Sequence, residues 1–404
     1  MTTLAVTEET ISREIEVLLL ASRPGLGPQQ FELLKRSLTQ TLDWGRLIEE
    51  AGRHRLIALL YSNLKKQGLV ELIPSEPRGV LQDAVRSETA RSLMLTGELV
   101  RVLRALQSAK ILALPFKGPL LSLAVYGDFA LRSCCDLDIL VHEEDLGRAR
   151  EVLSASGYEP LLSLNSQQER AYLKTECALQ MVDQNRGYLV ELHWRFSERH
   201  TALSLPLKRF WDRSKPISIA DVQTRTLCPE DLLLYLCFHG AKHCWERVEW
   251  ICCVAALIRS TPGLDWTELL LRANDYRISR LVHLGLLLVQ SLMGAQFPKM
   301  VDIRLREDTE AQALAKWVWT GLHSPGANPT HYEQQAIRYV FMVRAREHWA
   351  DRFRIVLFST IRTPHPDAPE WLDLPPRLSF LHSLLRPIRL IGEYGAVAWR
   401  RYVR

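Results

Sequence analysis

The hydrophobic and polar positions of the chain fall into three regimes. Up to about residue 108 the apolar residues recur at helical spacing, as in "TISREIEVLLLAS" and "QQFELLKRSL". "SETARSLMLTGELVRVLRALQSAK" predicts one long amphipathic helix. From 109 to 228 the period changes. "ILALPFKG" predicts a strand ending in a turn, and "PLLSLAVYG" a short helix with Pro119 at its start, where the missing N–H costs least. "CCDLDILV" predicts a second strand and "HEEDLGRAREVLSASGY" a helix closed by Gly157. "ECALQMVD" and "GYLVELHWRF" predict a hairpin joined by "QNRG". From 229 to 404 helices return, two of them within "PEDLLLYLCFHGAKHCWERVEWICCVAALIRS". A Pro-rich connector, "RTPHPDAPEWLDLPPR", then leads to a basic, apolar tail whose single acid is Glu393. That tail is expected to dock on the body of the protein. The reading is an α+β protein: a small α/β domain (109–228) between an N-terminal helical region (1–108) and a C-terminal helical domain (229–404).

Composition narrows the class. A length of 404 residues implies more than one domain, and 47% apolar with 24% charged residues is globular. The net charge of +5 is too small to imply nucleic acid by itself. The eight cysteines form no Cys-x-x-Cys, and Glu8, Glu9, Glu14 and Glu16 stand where a secretory leader would be basic and then apolar. Reduced thiols and a cytoplasmic location are therefore expected. The longest apolar stretch, "LVHLGLLLVQSLMGAQF", is interrupted by His283 and Gln290 and reads as a core helix.

The chemistry concentrates in the two strands. Side chains alternate across a strand, so Leu137, Ile139 and Val141 share one face and Asp136 and Asp138 the other. Two carboxylates so placed raise each other's pKa unless a cation lies between them, and a hard divalent ion is the usual one. In "YLVELHWRF" the same rule puts Val190, Leu192, Trp194 and Phe196 on one face and Glu191, His193 and Arg195 on the other. If the two strands are neighbours, Glu191 becomes a third carboxylate. Three such groups can hold two metal ions for an in-line phosphoryl displacement, and the third acid can take the attacking hydroxyl's proton. Upstream, the "FKGP" turn supplies Gly118 for close backbone approach, with Lys117 and Arg132 as positive charge for phosphates. The P-loop pattern is absent.

His239 and His243 lie at i and i+4, but the Cys237–Cys244 pair projects from a different face than the histidines, which argues against one tetrahedral zinc site. The two histidines, with Lys242 and Glu246, predict a polar face turned towards the α/β domain, at the nucleotide or the acceptor.

"KG", "YGDFALR", "DLDILV", "VELHW", "PEDLLLYLCFHGAKH" and "RPIRL", in this order, resemble the uncharacterised nucleotidyltransferase family of the polymerase-β-like superfamily. The resemblance implies a small mixed sheet with helices on one side. It implies transfer of a nucleoside monophosphate from an NTP to an acceptor, dependent on Mg²⁺ or Mn²⁺. Its metal pair falls on Asp136 and Asp138, its third acid on Glu191 and its phosphate turn, in part, on Lys117–Gly118. The residues themselves add Arg132 for the triphosphate and His193, His239 and His243 near the nucleotide. Relatives often carry an Asp where Cys253 stands, and Pro119 replaces a frequent phosphate-binding Ser. The acceptor, whether small molecule, protein or tRNA, is not implied. Two further readings stay open: a toxin-like enzyme that modifies tRNA or protein, and a nucleotide-binding protein without turnover.

Overall fold

The computed structural model describes residues 12–323 and 331–361, apart from Ala202 and Ser204; the Pro-rich connector and the basic tail lie outside the described residues. Five helices come first: α1 (Arg13–Ala21), α2 (Pro28–Thr39), α3 (Trp44–Arg53), α4 (Ile57–Lys66) and α5 (Ser75–Ser108). Ser12 and Asp43 cap α1 and α3 by accepting the N–H groups of Ile15 and Arg46. The long helix α5 begins well ahead of the predicted Ser87. Its second half is the amphipathic part, burying Leu95, Leu99, Val102, Leu103 and Leu106.

The central region follows as β1 (Ala113–Pro115), α6 (Gly118–Tyr126), β2 (Asp136–Val141), α7 (Leu146–Ala155), β3 (Glu159–Pro160) and α8 (Ser166–Thr175). It continues with β4 (Ala178–Asp183), β5 (Tyr188–His193), α9 (Leu207–Arg213), β6 (Lys215–Ile219) and β7 (Val222–Thr226). The five-stranded sheet has the order β1-β2-β5-β4-β3; β6 and β7 form a separate hairpin. β2 and β5 are parallel and the remaining pairs of the main sheet antiparallel, so the sheet is small and mixed. The predicted hairpin is β4–β5. β3, α8, α9 and the β6–β7 hairpin go beyond the sequence reading, and β1 is shorter than its apolar run.

Eight more helices complete the described chain: α10 (Pro229–Lys242), α11 (Val248–Ser260), α12 (Trp266–Asp275), α13 (Ser279–Leu288), α14 (Lys299–Glu307), α15 (Thr309–His323), α16 (His331–Ala345) and α17 (Trp349–Ile361). The long apolar stretch is α13, buried throughout from Leu281 to Leu288, with His283 held 3.0 Å from Asp308. Among the described residues no helix is long and apolar enough to cross a membrane. All eight cysteines are free thiols.

Two apolar cores meet at the sheet. Leu137, Ile139 and Val141 of β2 and Val190 and Leu192 of β5 pack with Trp194, with α5 and with Ala149 and Leu153 of α7. The opposite face sends Leu114, Phe116 and Leu140 into a second core, which α1 to α4 share with α10, α11, α13 and α15. β2 is thus covered on both faces, which is why Asp138 is only 2% exposed. Phe196 departs from its expected face. β5 ends at His193, the alternation stops with it, and Phe196 packs in the second core against Phe116, Phe210 and Tyr235. At the start of α10, Asp231 is fully buried and accepts from Arg213 and Arg272 at 2.9 and 3.0 Å, tying α9 and α12 to α10. Trp245 is buried against Gly240, where an added Cβ would stand 2.6 Å from the indole ring.

Candidate active site

The register of β2 and β5 builds the site. In the parallel pair, Asp138 stands opposite Glu191 and Asp136 opposite Leu189. Asp136, Asp138, Glu191 and His193 therefore share the face that α10 covers, because side chains two apart on a strand point the same way. His193 Nε2 lies 3.0 Å from Asp138 Oδ1 and 3.3 Å from Glu191 Oε2. Lys117 Nζ reaches the same Asp138 oxygen at 2.6 Å, and Gln180 Nε2 donates to Glu191 Oε1 at 2.8 Å. Gln180 was not anticipated; its signal is its place opposite Glu191 in the antiparallel β4–β5 ladder.

Charge is balanced by these contacts. Burial opposes the ionised form of Asp138, but Lys117 and His193 hold its carboxyl well below the usual range. Burial likewise works against Glu191, and the His193 hydrogen bond overcomes it. Asp136 goes the other way: burial and the Asp138 charge push it up. His193 is buried and Lys117 half-buried, which works against both charged forms, yet Asp138 and its neighbours raise them well above their ordinary values. The three acids thus face two basic side chains, Lys117 and His193.

The turn before α6 brings Lys117 there. Gly118 has φ +60°, a conformation that costs an L-residue about 1–2 kcal/mol. A Cβ on it would lie 3.1 Å from the Asp136 carbonyl oxygen, so Gly118 serves both the turn and the close approach to β2. The loop between α6 and β2 folds back on α6. Ser122 Oγ donates to the Asp128 carbonyl at 2.6 Å and accepts from the Arg132 N–H at 3.1 Å.

Arg132 takes a place that the sequence reading did not give it. Its guanidinium turns into the protein, 2.9 Å from Glu249 of α11, and both side chains are almost fully buried. It anchors the loop before Asp136 and is not a free cation at the mouth of the site. Cys253, one turn further along α11, receives the Tyr126 hydroxyl at 3.9 Å. The acid on this face of α11 is Glu249, four residues before the cysteine.

α10 closes the site from above. The Tyr235 ring packs edge-on against Phe116 at 5.0 Å, and Lys117 Nζ lies 5.7 Å from its centroid. His239 stacks with Tyr235, and both His239 and His243 touch Trp250, at 5.4 and 5.3 Å. Burial, then the nearby Lys117, depresses His239 well below its ordinary pKa; burial, then Lys242, takes His243 to about 3. Both imidazoles are neutral and pack with aromatic rings. Lys242 pairs with Glu198, just beyond β5.

A divalent ion fits the donors present. One ligand atom each from Asp138, Glu191 and His193 lie within 4.8 Å of one another. Asp136 shares the face but is not part of that cluster.

The site thus sets carboxylates on adjacent parallel strands of a small mixed sheet, beside a Lys-Gly turn. The profile of the uncharacterised nucleotidyltransferase family matches residues 40–294, well over half of the chain, and the chain belongs to that family. No curated protein and no solved structure matches the chain.

Proposed function

We propose that the protein transfers a nucleoside monophosphate from an NTP to an acceptor hydroxyl, with Asp138 and Glu191 holding a divalent cation. One observation carries the reading: the parallel β2–β5 register sets Asp138 opposite Glu191, with Asp136 on the same face and Lys117–Gly118 beside them. A divalent cation bound there would neutralise charge on the phosphates. Lys117, already at the carboxylates, supplies a second positive charge for the triphosphate, and Gly118 lets the backbone approach it. Asp136 is the best proton acceptor of the three acids. Its pKa is raised, whereas Glu191 has both oxygens engaged by Gln180 and His193. His239 and His243, half-buried over the core rings of Tyr235 and Trp250, offer flat surfaces for a base. Phosphoryl transfer relies on positioning and charge neutralisation, which these residues provide.

The test is label transfer from α-labelled NTPs, with Mg²⁺ or Mn²⁺, into a cleared lysate containing RNA, protein and small molecules. Label in one fraction, lost with Asp136→Ala/Asp138→Ala, supports the reading and names the acceptor class. A second reading, nucleotide binding without turnover, is favoured by one observation: Lys117 and His193 already compensate the acids. NTP binding with no transfer into any fraction selects it.

A further inference from the structure

The geometry points to His193 as a direct nitrogen ligand of the cation, so that the site is Asp138–Glu191–His193 and prefers Mn²⁺ to Mg²⁺. The inference rests on the proposed nucleotidyl transfer only in expecting a divalent ion at these strands. Two ligand atoms about 2.1 Å from one ion lie about 3.0 Å apart at a right angle and about 3.4 Å apart at the tetrahedral angle. His193 Nε2 stands 3.0 Å from Asp138 Oδ1 and 3.3 Å from Glu191 Oε2, the edges of such a polyhedron. His193 has one Nε2–H for two carboxylate oxygens, Asp138 Oδ1 and Glu191 Oε2, and must share it between them. An ion among the three atoms, taken up as the Nε2 proton leaves to solvent, serves all of them at once.

The surroundings fix the ligands. His193 is 5% exposed, and its ring is packed edge-on by Phe116 at 5.1 Å. Gln180 holds the far oxygen of Glu191, the kind of outer hydrogen bond that orients a metal-binding carboxylate. Asp138 and Glu191 are paired in register and His193 is two residues further along β5 on the same face. A donor set with one imidazole nitrogen departs from the oxygen shell and near-ideal octahedron that Mg²⁺ demands. Imidazole suits the transition-metal ions, which also bind most sites more tightly. The carboxylate Asp136 is left outside this cluster, available to substrate.

The experiment adds Mn²⁺ to the full-length protein and follows loss of the free-ion electron paramagnetic resonance signal, with Mg²⁺ as competitor. Expected are one tight Mn²⁺, displaced only by about a 100-fold or greater excess of Mg²⁺, and ¹⁴N modulation in the pulsed spectrum. Protein grown with ¹⁵N-histidine gives the ¹⁵N pattern instead, a readout that needs no mutation. In His193→Gln the nitrogen coupling disappears and the preference for Mn²⁺ over Mg²⁺ falls about tenfold. Bound Mn²⁺ with oxygen couplings only, or no bound Mn²⁺, overturns the inference. The first of these leaves nucleotidyl transfer standing, since the label-transfer assay decides that separately.

Discussion

Arg132 and Glu249 face each other inside the protein at 2.9 Å, with side chains only 9% and 3% exposed, and so bind the loop before Asp136 to α11. Burial pushes Glu249 up in spite of Arg132, whereas Glu249 helps to keep Arg132 charged. The pair is ionic, because a guanidinium does not give up its proton in a protein. Removing one partner strands the other charge in a dry site, at about 3–5 kcal/mol. Glu249→Leu and Arg132→Met are therefore each expected to lower urea stability by about that much. The double variant Arg132→Met/Glu249→Leu is expected to cost less than either single change. A double-mutant cycle by urea denaturation measures this, and additive losses would contradict it.

Asp138 carries the electrostatics of the site. Burial works against the charged form of His193, and contacts with Asp138 first, then Cys177 and Glu191, raise its pKa. In Asp138→Asn the largest of these attractions is gone, so the imidazole pKa is expected to fall. A histidine ¹H–¹⁵N titration of the ion-free protein reads this directly. Label transfer by the same variant is expected to drop about 10³-fold or more, the scale of losing a group that neutralises transition-state charge.

The alternation in "DLDILV" and "YLVELHW" was enough to place Asp138, Glu191 and His193 on one face, because a strand's period is rigid and both strands have an apolar opposite face. It failed for Phe196 as soon as the strand ended. It was silent on Arg132, whose direction is set by Glu249, distant in sequence and on another helix. The β6–β7 hairpin has its own alternation, "PISI" and "VQTRT", around Ala220–Asp221, with Ala220 at φ +53°. That turn lacks the glycine or asparagine that usually announces such a conformation. The neutrality of His239 and His243 followed from burial under Trp250, which a helical wheel does not show.

Gly118 has two reasons to be glycine, and they add. Gly118→Ala forces an L-residue to φ +60° and sets a methyl 3.1 Å from the Asp136 carbonyl. The backbone term alone is about 1–2 kcal/mol, and the contact with backbone cannot be relieved by a rotamer change. The expected loss is about 2–3 kcal/mol in thermal or urea unfolding. Because the turn carries Lys117, label transfer is expected to fall more steeply than the folded fraction at the same temperature. Stability equal to wild type would show that the turn can reshape without cost.

The Glu198–Lys242 pair gives a pH dependence with a definite sign. Burial raises the Glu198 carboxyl, but Lys242 outweighs it and takes the pKa from 4.5 to about 2. A depressed folded-state pKa means that the unfolded chain binds the proton first. The contribution is therefore fully present above about pH 4.5 and lost as pH falls through about 2. A shift of this size corresponds to about 3 kcal/mol. With Lys242→Met the largest attraction is lost while that of His200 remains, so the Glu198 pKa rises and its stabilising contribution shrinks. Acid unfolding followed by far-ultraviolet circular dichroism is expected to begin at higher pH in Lys242→Met than in wild type. Glu198→Gln/Lys242→Met, which removes both charges, is expected to be more stable at pH 7 than Lys242→Met alone, because no buried carboxylate is left unpaired.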